Sequence, residues 1–280
     1  MFRVIPAAEV LGPVIADLER VFDALSDLAA RVAAAGPAGP ARRADLVPLR
    51  PVIFDLLAAH RGLVAGAGVI TVPGLLADAP RCLEWWWTSP SGDPEPLRVN
   101  LDPRAPDFYD YAAAPWFRAT AGTGQHQVAG PYVDHACTGE YTLTLSTPLP
   151  HRDRPLGVAA ADVLVASLEP LVLPVLAGLG YPVALTGPDG RVIVSTAPSW
   201  PPGLRLPAAG RSGRGRFRPV TAVRRAARVA LDPAEPDPAE PDPAGPVPPF
   251  RSWLLVEADE AATGPAGAGP LPRRRVRSRQ

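Results

Sequence analysis

The sequence predicts an α+β fold, in which a long N-terminal helix leads into two lobes built on β-sheets. Apolar residues recur at three- and four-residue spacing over residues 7–35, which is typical of an amphipathic helix. From Gly62 the pattern changes to that of short strands, and a helical segment over 164–179 separates two groups of them. We therefore predict four parts: an N-terminal helical segment (1–61), a first lobe (62–163), a connecting helix with a smaller second lobe (164–258) and a disordered tail (259–280).

The first lobe should contain five strands. Before it, helix 7–35 includes Pro13, which is expected to kink or restart it, and a shorter helix fits Pro51–His60 with Pro51 in its first turn. Thr and Leu alternate in Tyr141–Pro148, and this alternation predicts a strand with one wet face. The predicted strands are 66–73, 82–88, 97–101, 141–148 and 155–163.

The second lobe begins with a hairpin over 181–195, because two apolar runs flank Asp189-Gly190, a pair that favours positive φ angles. Pro170 and Pro174 are expected to break or tilt the helix before it. A Pro-rich repeat over 231–249 cannot pack into a core and predicts a stiff loop. Further strands are predicted at 215–223, 225–231 and 250–257.

Composition excludes several function classes. The 28 basic and 28 acidic residues cancel, which argues against a nucleic-acid binder. All basic residues are Arg, so Schiff-base chemistry, a pyridoxal-phosphate anchor and a Walker-type lysine are excluded. The two cysteines provide neither a disulfide framework nor a metal quartet, and we expect no metal and no cofactor. No apolar run is long enough for a membrane span and no signal-peptide pattern is visible, so we expect a cytoplasmic protein.

One segment combines aromatic and acidic residues. Asp162 ends an Ala/Val run where a strand meets a helix, so it fits either a helix N-cap or a functional acid. In the functional interpretation, Asp134 and Asp162 accept hydrogen bonds from an ammonium group. Aromatic faces would add cation–π attraction to this cage, or else they are ordinary core. The candidate aromatic residues are Tyr109, Trp116 and Tyr132.

Three consecutive tryptophans occupy one predicted strand. Trp86 should face away from Trp85 and Trp87, because successive side chains alternate across a strand. At least one of the three is expected in the ligand cavity or at the helix interface, and Trp87 is the candidate ligand-binding residue.

The order of these motifs resembles the double Cache sensor domain. The matching pieces are Tyr109, Trp116-Phe117, Pro131-Tyr132-x-Asp134 and Gly157-Val-x-x-x-Asp162. The resemblance covers most of the chain and implies two PAS-like lobes, each a mainly antiparallel sheet with flanking helices. It also implies that the first lobe binds a small ligand. In the subset that resembles amino-acid sensors, the two acids hold the ligand amino group and Phe117 belongs to the site.

One position departs from that subset, because Ala114 stands where the resemblance calls for an Arg that grips the ligand carboxylate. This departure resembles the amine-binding branch of the family. Arg98, Arg104 or Arg118 can substitute, which keeps an amino acid possible. Family members usually lie outside a membrane, whereas this chain looks like a soluble version that reports to a separate regulator.

The sequence therefore predicts a non-enzymatic sensor of a cationic amine or amino acid, in which the long helix also pairs with a second copy. Two other classes stay open: a protein-interaction module without a small ligand, and an enzyme that uses the paired acids. A zinc site or a nucleophile would need the following residues, whose spacing matches no usual pattern: Cys82, His126, His135 and Cys137.

Overall fold

The computed structural model describes residues 3–34, 41–136, 138–151, 155–206 and 249–257. Within these ranges the chain forms four α-helices, which are α1 (Gly12–Ala34), α2 (Arg50–Ala59), α3 (Pro115–Thr123) and α4 (Val165–Ala177). The strands are β1 (Arg3–Pro6), β2 (Val64–Thr71), β3 (Leu83–Thr88), β4 (Pro94–Pro96), β5 (Gln127–Val133), β6 (Tyr141–Pro148), β7 (Gly157–Leu164), β8 (Val183–Thr186), β9 (Val192–Ser195) and β10 (Leu254–Glu257).

The strands form two antiparallel sheets. The larger sheet has the order β4-β3-β2-β7-β6-β5 and the smaller has the order β1-β10-β8-β9. The predicted α+β fold, with a long helix and two mainly antiparallel sheets, is confirmed. The sequence did not predict β1, which pairs Arg3 with Glu257 and so belongs to the smaller sheet.

The long helix α1 covers one face of the larger sheet. It begins at Gly12 rather than at residue 7, so Pro13 lies in the first turn, where its missing N–H costs no hydrogen bond. Its apolar stripe packs across β6 and β7 and is buried. The outward face carries Glu19, Asp23 and Asp27. The stripe that led us to expect pairing with a second copy is therefore covered within the chain.

The central strand β7 has a different neighbour on each face. Ala159 and Ala161 belong to the core under α1, whereas Val158 and Ala160 pack in a second core beneath α3. The hydroxyl side of β6 also faces α3. Its Thr and Ser side chains are at most 1% exposed, so the wet face predicted for this strand is wrong. These hydroxyls are Thr142, Thr144 and Ser146.

Several other expectations need correction. The strand predicted at 97–101 does not form, because β4 ends at Pro96 and Asn100 instead caps a turn by accepting a hydrogen bond from the Asp102 N–H. Helix α3 was not predicted.

Several predicted segments lie outside the described residues. They are the strands at 215–223 and 225–231, the loop up to residue 248 and the tail 259–280. In the described ranges, no helix has both the length and the hydropathy that crossing a membrane requires.

We expect Leu18→Ala to lower the free energy of unfolding by about 2–5 kcal/mol, because Leu18 is fully buried between α1 and the sheet. Glu19→Ala, on the exposed side of the same helix, is the matched control and should change it by less than about 0.5 kcal/mol. Urea unfolding of both variants measures the difference. Equal effects would mean that α1 does not pack as described.

Candidate functional site

A bulge in β5 decides which of its side chains face α3. Ala129 pairs with Thr144, but Tyr132 pairs with Thr142, so one extra residue is inserted between the two pairs, at the cis Gly130–Pro131 bond. Side chains alternate along a strand, and a slip of one residue moves the following side chains to the other face. The bulge therefore places Tyr132, and after it Asp134, on the face that carries Asp162.

Three side chains on this face form a hydrogen-bonded chain. The Thr144 hydroxyl donates to Asp162 Oδ1 over 2.7 Å, and Tyr132 Oη lies 2.5 Å from the same hydroxyl. Because the Thr144 proton is used toward Asp162, Tyr132 donates to Thr144. Sequence reasoning missed Thr144. Its signal was the run of hydroxyl residues at alternate positions of β6, which were interpreted as facing solvent.

These residues enclose a small space that we call the inner chamber, with a volume of about 20 Å³. Five residues line this chamber but not the wider space outside it. They are Leu83, Trp85, Leu97, Thr144 and Asp162. A wide space outside it, the outer cleft, measures about 1150 Å³ and extends to the β8–β9 loop at Pro188, Asp189 and Arg191. The residues that line both spaces define the mouth, and they are Tyr109, Trp116, Tyr132, Asp134 and Ala136.

Burial controls the electrostatics of the inner chamber. It raises the pKa of Asp162 to about 7, which the Thr144 hydrogen bond opposes and the nearby Asp134 charge reinforces. Burial, followed by the charge of Asp162, also raises the pKa of Tyr132. The alternative of a helix N-cap for Asp162 is wrong, because α4 begins at Val165 and Leu164 occupies the capping position.

Asp134 is fixed at the mouth by its own turn. It is 8% exposed and directly follows β5. Its backbone N–H donates to the Glu140 carbonyl, and its Oδ1 accepts the Ala136 N–H over 3.2 Å. Its carboxyl group is therefore held in place before any ligand arrives.

Trp86 faces away from Trp85 and Trp87, as the strand alternation predicted. The tryptophan that lines the site, however, is Trp85 and not the predicted Trp87. Trp86 packs edge-on against Phe54 of α2. Trp85 lines the inner chamber, whereas Trp87, the predicted ligand residue, lies on the same face but lines neither space. Gly66 explains why the Trp85 ring has room in the site, since a Cβ at residue 66 would lie 2.8 Å from Trp85 Nε1. Only a glycine leaves the indole this room.

Phe117 lies behind the site rather than in it. It is 4% exposed and makes edge-to-face contacts with Trp116 and Tyr111. Phe117 therefore holds the Trp116 ring at the mouth without lining the chamber or the cleft.

The possible substitutes for the missing Arg lie in different places. Ala114 lines the outer cleft, and so does Arg98. Arg104 pairs with Asp102 at the surface, and Arg118 is exposed on α3 and does not line the cleft. Of the residues considered for zinc or a nucleophile, Cys137 lies outside the described residues.

Comparisons with known proteins found sensory domains. No family model matches the chain. A stretch of 90 residues is 29% identical to the methyl-accepting chemotaxis protein PctB of Pseudomonas aeruginosa, and it covers 32% of this chain and 14% of that protein. The chain therefore matches about a seventh of that relative's length.

Among solved structures, the sensory domain of the Campylobacter jejuni chemoreceptor Tlp3 is 14% identical, with a TM-score of 0.48 over 71% of this chain and 74% of that one. The ligand-binding domain of the Pseudomonas aeruginosa amino acid chemoreceptor PctC, in complex with GABA, is 19% identical, with a TM-score of 0.47 over 69% and 74%. Both of these solved structures are chemoreceptor ligand-binding or sensory domains.

We expect the stability of the ligand-free protein to fall as the pH rises, because Asp162 keeps its proton in the folded state up to about pH 7. The unfolded carboxyl group ionises near pH 4, so the loss develops between about pH 4 and 7 and reaches at most about 4 kcal/mol. Asp162→Asn removes this titration and keeps an acceptor for Thr144. The melting temperature of the variant minus that of the wild type should therefore rise across this window.

Calorimetry at a series of pH values measures this difference. Asp107→Asn, a change at an exposed acid of the outer cleft, is the matched control and should leave the difference flat. A flat profile for Asp162→Asn as well would mean that Asp162 is ionised in the folded protein.

Proposed function

We propose that this chain is a non-enzymatic sensor domain that binds a small cationic amine at the mouth of the inner chamber. The observation that carries the proposal is the meeting of two buried carboxyl groups, Asp134 and Asp162, in one small space rimmed by three aromatic rings. An ammonium group donates to both carboxyl groups, and the rings attract its charge.

The state of Asp162 supports a cationic ligand. An ionised carboxylate buried among apolar strands is costly. The Asp162 carboxyl group therefore keeps its proton up to about pH 7. An ammonium beside it supplies the opposite charge that desolvation removed, so binding favours the ionised form. An anionic or neutral ligand gives no such compensation.

A catalytic role has less support. An enzyme that uses paired acids must direct both of them at a reacting atom of the substrate, whereas in this proposal both acids, once Asp162 has lost its proton, hold one bound cation. We therefore propose binding without chemistry.

An amino acid is the second candidate ligand. Arg98 lines the outer cleft, into which the far end of a ligand anchored at the mouth would extend, and a guanidinium there can pair with a carboxylate. The ligand-binding domain of PctC, to which the chain is similar, forms a complex with GABA, a ligand with both an ammonium and a carboxylate.

Signalling would use the outer cleft. Its lining joins the mouth to the β8–β9 loop at Asp189 and Arg191, so a ligand at the mouth contacts the first sheet while it changes the surroundings of the second. A ligand with unequal affinity for two arrangements shifts their populations. The similarity to a methyl-accepting chemotaxis protein supports a signalling role, here through a separate regulator. The cytoplasmic location stays a prediction.

We expect small amines to raise the melting temperature of the purified chain by several degrees at saturating concentration. A thermal-shift series with biogenic amines, polyamines and amino acids measures this. Asp134→Asn and Asp162→Asn should each abolish the shift, because each removes a charge from the ammonium. Asp107→Asn, the outer-cleft control, should keep it. A full shift in all three variants would contradict the proposal.

The affinity for an amine should increase with pH up to about 7 and then level off, as long as the amine stays protonated. Below pH 7 the ligand must displace the Asp162 proton, so the association constant should rise up to about tenfold per pH unit. Titration calorimetry in two buffers of different ionisation enthalpy also counts the released proton. No proton release at pH 6 would contradict an ammonium at Asp162.

A further inference from the structure

One buried donor in the site is without an acceptor in the part of the chain that the structure describes. Trp85 is 6% exposed and lines the inner chamber, and its Nε1–H has no hydrogen-bond partner among the described residues. A buried N–H without an acceptor is uncommon in folded proteins, and leaving it unpaired costs stability. Because Trp85 lines the chamber, a small acceptor placed there is a candidate partner for this donor.

The position of the indole follows from β2. Gly66 pairs with Asp162 on one side and with Trp87 on the other, while Trp85 pairs with Gly68. The indole leans back over Gly66, where a Cβ would lie 2.8 Å from Nε1. Directly opposed residues in an antiparallel pair have Cα atoms about 4.5–5.5 Å apart, so the indole N–H and the Asp162 carboxyl group are neighbours on one face.

An ammonium group cannot satisfy this donor. It carries only N–H donors and no lone pair, so a plain alkylamine held by Asp134 and Asp162 leaves the Trp85 N–H unpaired. The chamber volume of about 20 Å³ matches one water-sized group. A ligand carboxylate there would be repelled by Asp162 once the bound ammonium has ionised it. A hydroxyl has the required size, accepts from Trp85 and donates to a carboxyl oxygen.

We propose that the inner chamber is a hydroxyl subsite, and that the preferred ligand is an amine with a hydroxyl two carbons from its nitrogen. The inference rests on the proposed amine-binding function and names its ligand class. The hydroxyl oxygen accepts the Trp85 N–H inside the chamber. The ammonium lies at the mouth, where it donates to Asp134 and to the second oxygen of Asp162.

The test compares 2-aminoethanol with n-propylamine, which has the same number of heavy atoms but no hydroxyl. Calorimetric titration of the full chain should give an affinity for 2-aminoethanol at least about 5-fold higher, because only that ligand pairs the indole donor. Trp85→Phe keeps an aromatic ring and removes the donor. It should bring the affinity ratio close to one through a loss of 2-aminoethanol binding, with n-propylamine little changed.

A second variant and a spectroscopic readout protect the test against misfolding of Trp85→Phe. Gly66→Ala keeps the indole but places a methyl group against Nε1, and it should reduce the same affinity ratio. In wild-type protein, 2-aminoethanol should shift one indole N–H proton resonance that is absent from the Trp85→Phe spectrum, and n-propylamine should leave that resonance in place.

The outcomes separate the two proposals. Equal affinities for the two ligands in the wild type would overturn the hydroxyl subsite and leave amine binding intact, as expected if a resident water pairs the indole. An unchanged preference in both variants would overturn it as well, since another group would then hold the hydroxyl. No binding of either ligand would overturn the proposed function itself.

Discussion

The antiparallel pairing of β2 with β7 is the constraint on which the rest of the structure depends. The two strands form the middle of the larger sheet, and β7 leads directly into α4 and the smaller sheet. Small residues line their site face, with Gly66 and Gly68 on β2 and Ala160 on β7. A Cβ at Gly68 would lie 2.2 Å from the Glu84 carbonyl oxygen, so this close approach needs glycine. The room left by these residues holds both the indole and the carboxyl group of the site.

The Asp162 carboxyl group enters this small-residue region with a defined hydrogen-bond partner. Thr144 links Tyr132 to Asp162, and the hydroxyl chain fixes the carboxyl group without neutralising it. The result is an acid whose charge is suppressed by burial and can be restored by a neighbouring cation. The site therefore combines a rigid frame with a buried carboxyl group that lacks a positive partner among the described residues. This arrangement is suited to recognising a ligand rather than to stabilising the ligand-free protein.

Patterns with a strong period were readable from the sequence, and positions set by pairing register were not. The stripe of α1 and the alternation in β6 located those elements, and Tyr109, Trp116, Tyr132, Asp134 and Asp162 meet in one space as expected. Trp85 and Trp87 share a face, so the sequence could not tell which one finds room over a glycine across the strand. Pro131 within an apolar run was an available signal for the bulge. The edge strand β1 gave none, because four residues show no period.

The pairing of β1 with β10 determines how the protein responds to tension. Arg3 faces Glu257 across the two strands, and the strands are antiparallel, so the outward ends of both lie at the same end of the pair. A force that draws these ends apart loads the pair as a zipper: its hydrogen bonds break one after another instead of sharing the load in shear. Since each bond contributes only about 0.5–1.5 kcal/mol, little force is needed to open this edge. The β1–β10 pair is therefore the part of the smaller sheet that opens first when these ends are drawn apart.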